Sequence, residues 1–511
     1  MGRKEEIVKE RMKKVIELMD KNINPYAYRY DQKDFSEEIK EKFSKLKNNK
    51  RTKDKAKIAG RVITIRDIGK LIFATVQDSQ GRIQIILQRE ETEKNSFELF
   101  KKYIDSGDFV GCEGTIMKTK TGEVSILVKK LELLSKSILP LPEKWHGMQD
   151  KEERYRKRYL DLAINPEVKK VFLMRTQILE SIRDFMKENR FVEIETPLLQ
   201  SCYGGACAKP FTTHCEAFDS NVFLSIAPEL YLKKALVGGF ERVYEITKKF
   251  RNEGVDRQHN PEHMTIEWYQ AYADYEDGMK LFENLIKAIA KKLFGKLTFE
   301  YQGNKINLNK WERISLANAI KKYLHEDIDK VKDDEDAKKI AKKQGIDSSG
   351  ITRANLPDEL MKLFREKLIQ PTFLIDYPAE LAPLARLKRG DCTKAEVFQP
   401  FIGGMELARA YSELNDPALQ GKNFMEQEEE RKKGNQEAMP TDKDFVTALE
   451  HGMPPACGVG IGIERLVMLF TNQSSIRDVI LFPFMKPEEE NPEKESEDEE
   501  EPKKEGELEE K

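Results

Sequence analysis

The sequence predicts an α+β protein in which a small five-stranded β-barrel precedes a larger domain of antiparallel strands and helices. Two observations predict this fold class. From residue 57 onward, short runs of alternating apolar and polar residues are separated by Gly, Asp and Lys-Thr-Gly turns. After residue 160, strands and amphipathic helices follow one another without the βαβ alternation that builds a parallel sheet.

Length and composition limit the class of protein. A chain of 511 residues provides about two to four domains at roughly 150 residues each. No run approaches the roughly 18 apolar residues of a membrane helix, and the first residues lack the apolar core of a signal peptide. The six cysteines form no CxxC pair and are too sparse for a disulfide framework. These features predict a cytoplasmic protein without a membrane partner.

Charge is distributed unevenly along the chain. Residues 1–57 contain 18 Lys or Arg against 11 Asp or Glu, whereas residues 486–511 contain 14 acidic and 5 basic residues. We therefore predict a basic helical extension over 1–56 and an acidic, disordered tail over 487–511. A basic arm suits contact with phosphates, and a solvated helical face fits the same composition.

The barrel is predicted over residues 57–137. Its five strands are interrupted after the third by a helix from Glu93 to Asp105. This order matches an oligonucleotide-binding fold (OB-fold), although other small barrels share the pattern. A proline-bounded linker follows over 138–160, and the larger domain is predicted over 161–486. It includes a Lys- and Asp-rich helical insertion at about 295–370, which begins with the hairpin-like run LTFEYQGNKINL.

Two segments of the larger domain have the residue types that phosphate and nucleotide binding need. In the first, a strand ends in Phe250-Arg251-Asn252-Glu253; an arginine at a strand end can hold a phosphate through two parallel hydrogen bonds, and an ordinary charged hairpin is the alternative. In the second, Gly458, Gly460 and Gly462 alternate along a strand before Arg465. Such a strand lets a planar base approach the backbone closely. A dinucleotide fingerprint would need the strand before the glycines.

These segments, with the helix–strand pattern that ends at Pro197, resemble motifs one, two and three of the class II aminoacyl-tRNA synthetases. The runs FRNEG, HNPE, YADY, SELNDP and GIGIERLVMLF resemble the lysyl-tRNA synthetase family, and the resemblance extends from Ile58 to Pro487. It implies a class II catalytic domain that activates L-lysine with ATP and Mg²⁺, releases pyrophosphate and transfers lysine to the 3′ end of tRNA(Lys). Motif one implies a homodimer.

The resemblance also implies site residues. Arg251 would clamp the α-phosphate and the lysine carboxylate, Arg465 would hold the γ-phosphate, and Glu406 would bind magnesium; these are the implied catalytic residues. The implied ATP site comprises Arg251, Glu253, His259, His263, Glu406 and Arg465. The implied lysine site comprises Gly205, Glu229, Arg251, Glu267, Tyr269, Arg409 and Glu413. In the barrel, the implied anticodon contacts are Arg66, Phe73, Gln84 and Glu123.

Three positions depart from the family pattern. Gln399 stands where the family usually has a second glutamate, so magnesium would be held by Glu406 with Gln399 and Glu413 as further candidates. His263 stands in place of the phenylalanine that stacks on adenine, and Arg409 in place of an asparagine near the lysine carboxylate. We expect activity to survive these changes.

Several alternatives stay open from the sequence. One is a paralogue that attaches lysine or a related amino acid to a protein, although such paralogues lack the barrel. Another is an inactive tRNA-binding or regulatory protein, and dinucleoside polyphosphate synthesis is a side activity open to any such site. Zinc binding is a further alternative at Cys202, Cys207, His214 and Cys215, whose spacing lacks the usual CxxC pairs.

Overall fold

The structure, a computed structural model, describes residues 3–142, 148, 150–433 and 438–487. The predicted acidic tail lies outside the described residues except for Pro487, and so does part of the predicted linker, at 143–147 and 149. The described residues form two compact units that divide after Pro166. The domain boundaries drawn from the sequence stay predictions.

The first unit is a closed five-stranded barrel with helices before and after it. In chain order the elements of the unit are α1 (Arg3–Asp20), α2 (Ser36–Lys42), β1 (Lys50–Asp67), β2 (Leu71–Gln77), β3 (Arg82–Gln88), α3 (Lys94–Tyr103), β4 (Phe109–Lys118), β5 (Val124–Ser135), α4 (Lys151–Arg156) and α5 (Arg158–Ile164). The strands pair in the order β1-β2-β3-β5-β4, and the helix after the third strand is present as predicted.

The N-terminal extension packs on the barrel. Leu18 of α1 is fully buried and belongs to the apolar core of the barrel. On the same helix, Arg11 Nη1 donates to the carbonyl oxygens of Ser137 and Leu139 at 3.0 and 3.2 Å, and Lys14 Nζ lies 2.8 Å from Asp105 Oδ1. Part of the basic charge of the extension is therefore used within this unit. Strand β1 begins at Lys50, inside the segment predicted to be helical.

The second unit is built on one mixed sheet. The elements of the unit are α6 (Pro166–Glu188), β6 (Val192–Glu193), β7 (Leu199–Gln200), β8 (Thr212–Cys215), β9 (Ser220–Leu224), α7 (Glu229–Val237), β10 (Arg242–Phe250), β11 (Glu262–Ala271), α8 (Tyr275–Phe294), β12 (Thr298–Tyr301), β13 (Asn304–Asn307), β14 (Glu312–Ser315), α9 (Leu316–Leu324), α10 (Asp334–Lys343), α11 (Leu356–Phe364), β15 (Thr372–Pro378), β16 (Leu387–Lys388), β17 (Asp391–Ile402), β18 (Met405–Glu406), β19 (Ala408–Ser412), α12 (Pro417–Lys432), α13 (Lys443–Glu450), β20 (Ala456–Gly462), α14 (Ile463–Thr471) and α15 (Ile476–Val479). The main path of the sheet runs β14-β15-β17-β19-β20-β11-β10-β6, with β16 and β18 paired to β17.

Most neighbouring strands of this sheet are antiparallel, which confirms the α+β class. Among the described strands of this sheet, only β6 with β10 and β14 with β15 pair in parallel. One face of the sheet carries the large apolar core, in which Ile266 and Trp268 of β11 pack with Phe282 of α8. Because side chains alternate along a strand, Thr265, Glu267 and Tyr269 point to the opposite face.

The region predicted as a helical insertion is only partly helical. It starts with the β12–β13 hairpin and with β14, which pairs in parallel with β15 of the main sheet. Helices α9, α10 and α11 follow and form a separate apolar core around Leu360 and Phe364. The strand character arises because Glu312–Ser315 extends the sheet edge next to Thr372. None of the described helices is both long enough and apolar enough to span a membrane.

Candidate active site

A cavity of about 370 Å³ lies in the second unit and is lined by residues of β11, β19 and β20. Residues of these three strands face one another in rows across the sheet. Tyr269, Gly458 and Tyr411 form one row, and the next row consists of Glu267, Gly460 and Arg409. Thr265 and Gly462 begin a third row.

The alternating glycines of β20 are required by this packing. A Cβ atom on Gly458 would collide with the Glu413 carboxylate and the Tyr269 ring. A Cβ atom on Gly460 would lie 3.3 Å from Cγ of Glu267. Gly205, whose φ is +83°, lets its loop approach Glu229 at a distance where a Cβ would lie 2.8 Å from that of Glu229. The cavity floor therefore stays open only because these positions lack side chains.

One end of the cavity, which we call the acidic end, consists of Glu229, Lys233, Glu267, Tyr269, Tyr411 and Glu413. All three carboxylates are buried. Lys233, fully buried, lies 2.6 Å from Glu229 Oε1 and 2.5 Å from Glu413 Oε2. The Tyr411 hydroxyl donates to Glu229 Oε1 at 2.6 Å, and the Tyr269 hydroxyl to Glu267 Oε2 at 3.3 Å.

Negative charge exceeds positive charge at the acidic end. Three carboxylates face one ammonium group, and Oε1 of Glu413 has no hydrogen-bond partner among the described residues. Burial raises the pKa of Glu267 to about 8 and the neighbouring Glu229 adds to the effect, whereas the buried Lys249 ammonium and the Arg251 guanidinium act against it. Burial also raises the pKa of Glu413 to about 8, although the Lys233 ammonium acts against it. Such carboxyls gain most from a ligand that brings further positive charge.

The other end, which we call the cationic end, consists of Arg251, His263, Glu406, Arg409 and Arg465. Arg251 follows directly after β10, where its N–H donates to the Pro261 carbonyl at 2.9 Å, and its buried Nε has no partner among the described residues. Arg465 lies in the first turn of α14 and its Nη1 donates to the Glu406 carbonyl at 2.9 Å. Both arginines line the cavity, and in the described part of the chain neither is within ion-pair distance of a carboxylate.

The loop between β10 and β11 is ordered by Asp256. Its Oδ1 accepts from the backbone N–H groups of Gln258 and His259 at 2.6 and 2.8 Å, and its Oδ2 lies 2.8 Å from His259 Nδ1. Burial works to raise the pKa of Asp256, but these hydrogen bonds lower it overall. His259 and Glu253 of this loop are exposed and line the cavity.

His263 is a neutral ring in this site. Burial lowers its pKa to about 3, and the nearby Arg251 guanidinium contributes to the shift. His263 stands where the family pattern has phenylalanine. Its imidazole stays uncharged at neutral pH, so the departure changes ring size and polarity but adds no charge.

A short hydrogen-bonded chain connects Glu406 to Tyr377. Gln399 is buried, with 2% of its surface exposed, and its Nε2 donates to Glu406 Oε1 at 3.2 Å. Its Oε1 accepts a short hydrogen bond from the Tyr377 hydroxyl. The guanidinium of Arg409 lies over the Tyr377 ring, 5.9 Å from the ring centroid, and Arg409 Nη2 donates to the Leu381 carbonyl at 2.7 Å.

We call the side of the cavity formed by Gln399, Glu406 and Arg409 the wall. Magnesium fits the wall only through Glu406. Glu406 lines the cavity and its carboxylate is half-exposed, so it can give an oxygen to a hard cation. Gln399 turns its amide nitrogen toward Glu406 and its oxygen toward Tyr377, and Glu413 is paired with Lys233. Within residues 3–142, 148, 150–433 and 438–487, no group of three or more His, Cys, Asp or Glu side chains is placed to hold a metal ion, and this includes the cysteine and histidine residues weighed for zinc.

In the barrel unit, the four residues predicted to contact an anticodon lie on one outward face. Arg66 of β1 pairs with Phe73 of β2, and Phe73 is diagonal to Gln84 on β3. Gln84 Nε2 donates to Glu123 Oε2 at 2.9 Å, and Ser125 Oγ donates to Gln84 Oε1 at 3.0 Å. Phe73 is half-buried, so part of its side chain remains accessible.

Comparison with known proteins assigns the chain to a family. A family model described as class II tRNA synthetases (D, K and N) matches residues 150–486, and one described as an OB-fold nucleic acid binding domain matches residues 56–134. A lysine–tRNA ligase of Pelotomaculum thermopropionicum is 47% identical over 496 residues, which are 96% of this chain and 97% of that protein. A lysine–tRNA ligase of Carboxydothermus hydrogenoformans is 46% identical over 94% of this chain and 98% of its own length. The chain belongs to the class II lysine–tRNA ligase family.

Membership of the lysine–tRNA ligase family agrees with the fold predicted from the sequence. The cavity brings together the predicted residues Gly205, Glu229, Arg251, Glu253, His259, His263, Glu267, Tyr269, Glu406, Arg409 and Arg465. Glu413 adjoins it through Gly458 and Lys233, and Gln399 lies behind Glu406.

At least three residues that shape the site were not predicted from the sequence: Tyr411, Lys233 and Glu464. Lys233 follows Glu229 by one helical turn on α7, a spacing typical of an ion pair, and this spacing was the available signal. Glu464 gives no such signal: it accepts from Arg175 Nη2 at 2.8 Å and from the Met264 N–H at 2.9 Å. It thereby fixes the start of α14, and with it Arg465, to β11.

Proposed function

We propose that this chain is an ATP-dependent lysine–tRNA ligase, which activates L-lysine to lysyl-adenylate and transfers the lysine to the 3′ end of tRNA(Lys). One observation carries the choice of amino acid: with Glu229, Glu267 and Glu413 ionised, the acidic end holds two more negative charges than Lys233 neutralises. Free lysine carries two ammonium groups. Aspartate and asparagine carry the α-ammonium group but no cationic side chain, so they would leave one of these buried negative charges without a cation, which is costly.

The cationic end suits the first chemical step. The lysine carboxylate attacks the α-phosphorus of ATP in line with the departing pyrophosphate, so two anionic groups must approach one another. Arg251, placed rigidly after β10, would hold the carboxylate and the α-phosphate together, and Arg465 would hold the γ-phosphate of ATP. These contacts contribute alignment and charge stabilisation, and the step requires no protein base.

Magnesium belongs to this proposal through one protein ligand. Glu406 would hold Mg²⁺ together with ATP phosphates, and the ion would supply positive charge to the phosphate oxygens when bound. Glu253 and His263 would contact adenine, and His259 would meet the terminal phosphates. The neutral ring of His263 supports stacking on a base.

The outward face of the barrel would bind the anticodon of tRNA(Lys). Phe73 would stack on one base, while Arg66, Gln84 and Glu123 would contact base edges. Replacing Phe73 with alanine should raise the KM for tRNA about 10- to 100-fold, which corresponds to the binding free energy usually lost with one stacked base. ATP–pyrophosphate exchange should stay unchanged. Tyr28→Ala, at a fully exposed aromatic residue of the same unit, is the matched control.

A homodimer is the proposed assembly. Several apolar side chains near the predicted motif one are exposed in the single chain: Leu173, Val192, Leu198, Leu199 and Phe240. Light scattering should give twice the chain mass, and Leu173→Glu with Leu199→Glu should lower it. The six cysteines, all free, support a reducing compartment such as the cytoplasm.

Lysine-dependent ATP–pyrophosphate exchange, followed by charging of tRNA(Lys), tests the function. We expect exchange with lysine and not with aspartate, asparagine or the other amino acids, and charging of tRNA(Lys). Exchange without charging, but with lysine attached to an added protein, would indicate the protein-modifying paralogue. A folded chain that binds tRNA and exchanges with no amino acid would indicate the inactive binder.

A further inference from the structure

Arg409 is a cation in the cavity wall without an acidic partner. It lines the cavity, stacks over Tyr377 and donates to the Leu381 carbonyl. Among the described residues, no carboxylate lies within ion-pair distance of it. A guanidinium placed in this way keeps donors and a full positive charge available for an anion that enters the cavity.

Gln399, on the same wall, is fixed in an orientation that withholds its oxygen from the cavity. The Glu406 carboxylate only accepts hydrogen bonds, so the amide must present its nitrogen to Glu406 Oε1, 3.2 Å away. The amide oxygen is then directed to the Tyr377 hydroxyl, which donates to it. Rotating the amide to offer oxygen to a metal would break the hydrogen bond to Glu406, bring two oxygens together there, and reverse the hydrogen bond with Tyr377.

Together these contacts set the charge of the wall. Among the described residues of the wall, Glu406 is the single anionic group that is open to the cavity. Arg409 adds a fixed positive charge nearby. A divalent ion is bound by carboxylates and phosphates, and a second ion at this wall would face one carboxylate, a withheld amide oxygen and a guanidinium. The guanidinium itself can neutralise phosphate or carboxylate oxygens.

We propose that Arg409 and Gln399 replace a metal ion by a protein cation: the wall binds one divalent ion through Glu406, and Arg409 supplies the remaining positive charge to the reacting carboxylate and phosphate. Arg409 thus lowers the requirement of the activation step for free Mg²⁺. This inference rests on the proposed function, because it concerns the ATP and lysine of that reaction.

The ion count tests the inference directly. Mn²⁺ bound to the full chain is counted by electron paramagnetic resonance in the presence of saturating lysine and α,β-methylene-ATP. The methylene group between the α- and β-phosphorus atoms of this analogue prevents the reaction with lysine. The double variant Gln399→Glu, Arg409→Asn should bind about one Mn²⁺ more per cavity than the natural chain, because it restores an acidic pair and removes the cation. Gln427→Glu with Arg353→Asn, outside the cavity lining, makes the same changes of charge and should bind as many ions as the natural chain.

A single variant gives an independent readout. Arg409→Met should raise the Mg²⁺ concentration for half-maximal pyrophosphate exchange about tenfold, since one charge-assisted contact is lost. In Arg409→Lys, which keeps the positive charge, this concentration should stay close to that of the natural chain. The inference is overturned by equal Mn²⁺ counts in the natural chain and the double variant, or by an unchanged Mg²⁺ requirement in Arg409→Met. If the natural chain binds no α,β-methylene-ATP, the proposed function fails as well.

Discussion

The cavity and the barrel treat buried charge differently. In the barrel unit, the fully buried Lys136 ammonium lies 2.6 Å from Asp105 Oδ2 and 2.7 Å from Asp108 Oδ2, so each charge of this cluster has a partner. In the cavity, the acidic end has more carboxylates than cations and the cationic end has arginines without carboxylates. Unpaired buried charge costs folding free energy. Its presence at two ends of one cavity therefore marks where ligand charges complete the structure.

The two ends also differ in what holds them. The acidic end is assembled from α7, β11 and β19 and is buried throughout, so its charges respond strongly to burial. The cationic end is half-exposed and depends on strand and helix ends, such as the end of β10 for Arg251 and the start of α14 for Arg465. We expect the acidic end to determine which amino acid binds, and the cationic end to determine how fast ATP reacts.

The largest effect is expected at the cationic end. Arg251→Met should lower kcat for pyrophosphate exchange about 100- to 1,000-fold, as loss of one group that stabilises the charge developing in a transition state does. Lysine binding, followed by calorimetry without ATP, should weaken much less. Arg353→Met, at an exposed arginine, is the control. Equal losses in lysine affinity and in kcat would contradict the expectation that the acidic end determines amino-acid binding and the cationic end determines the rate of reaction with ATP.

At the acidic end, Glu413→Gln should lower kcat/KM for lysine about 10- to 100-fold, because the negative charge that strengthens a hydrogen bond to the lysine ammonium is lost. The KM for ATP should stay close to its natural value. The matched control is Glu450→Gln, at an exposed glutamate of α13. A variant that lost ATP and lysine affinity in parallel would show that the acidic end supports the whole cavity and does not select lysine.

Titration of the acidic end gives a third test. Glu267 and Glu413 have pKa values raised to about 8, so the folded chain without lysine binds more protons than the unfolded chain between about pH 4.5 and 8. The free energy of unfolding contributed by these groups therefore falls as pH rises through this window. Bound lysine favours their ionised forms, so its affinity should increase with pH, by up to about tenfold per unit for each proton released.

Calorimetry of lysine binding in buffers of different ionisation enthalpy measures the protons released. Near pH 7 the natural chain should release protons, and Glu413→Gln should release fewer. Binding without proton release would contradict the raised pKa values. The unfolding temperature without lysine, measured from pH 5.5 to 8, should fall with pH less steeply in Glu413→Gln than in the natural chain.

Much of this arrangement follows from local sequence. The alternating glycines at 458, 460 and 462 predict a strand with a flat face, and the β-rich runs with one helix after the third predict the barrel. Both predictions succeed because side-chain period and turn residues are local properties. The pairing of Lys233 with Glu413 joins residues far apart in sequence, so no local pattern contains it. The same holds for Arg175 with Glu464 and for the contact between Gln399 and Tyr377. Charge balance in a cavity is a tertiary property.

The smallest effect is expected for His263→Phe. Because burial and Arg251 lower the pKa of His263 to about 3, the ring is neutral throughout the working pH range, and phenylalanine removes no charge from the cationic end. The KM for ATP should change by less than about threefold, since both rings offer a face on which a base can stack. The pH profile of this KM between 5.5 and 8 should keep its shape, as it should in His451→Phe, a control at the exposed end of α13. Disappearance of an ionisation near pH 6.5 in His263→Phe alone would show that His263 carries charge beside Arg251. The cationic end would then contain one more titrating group than its geometry indicates, and its independence from pH, which separates it from the acidic end, would be lost.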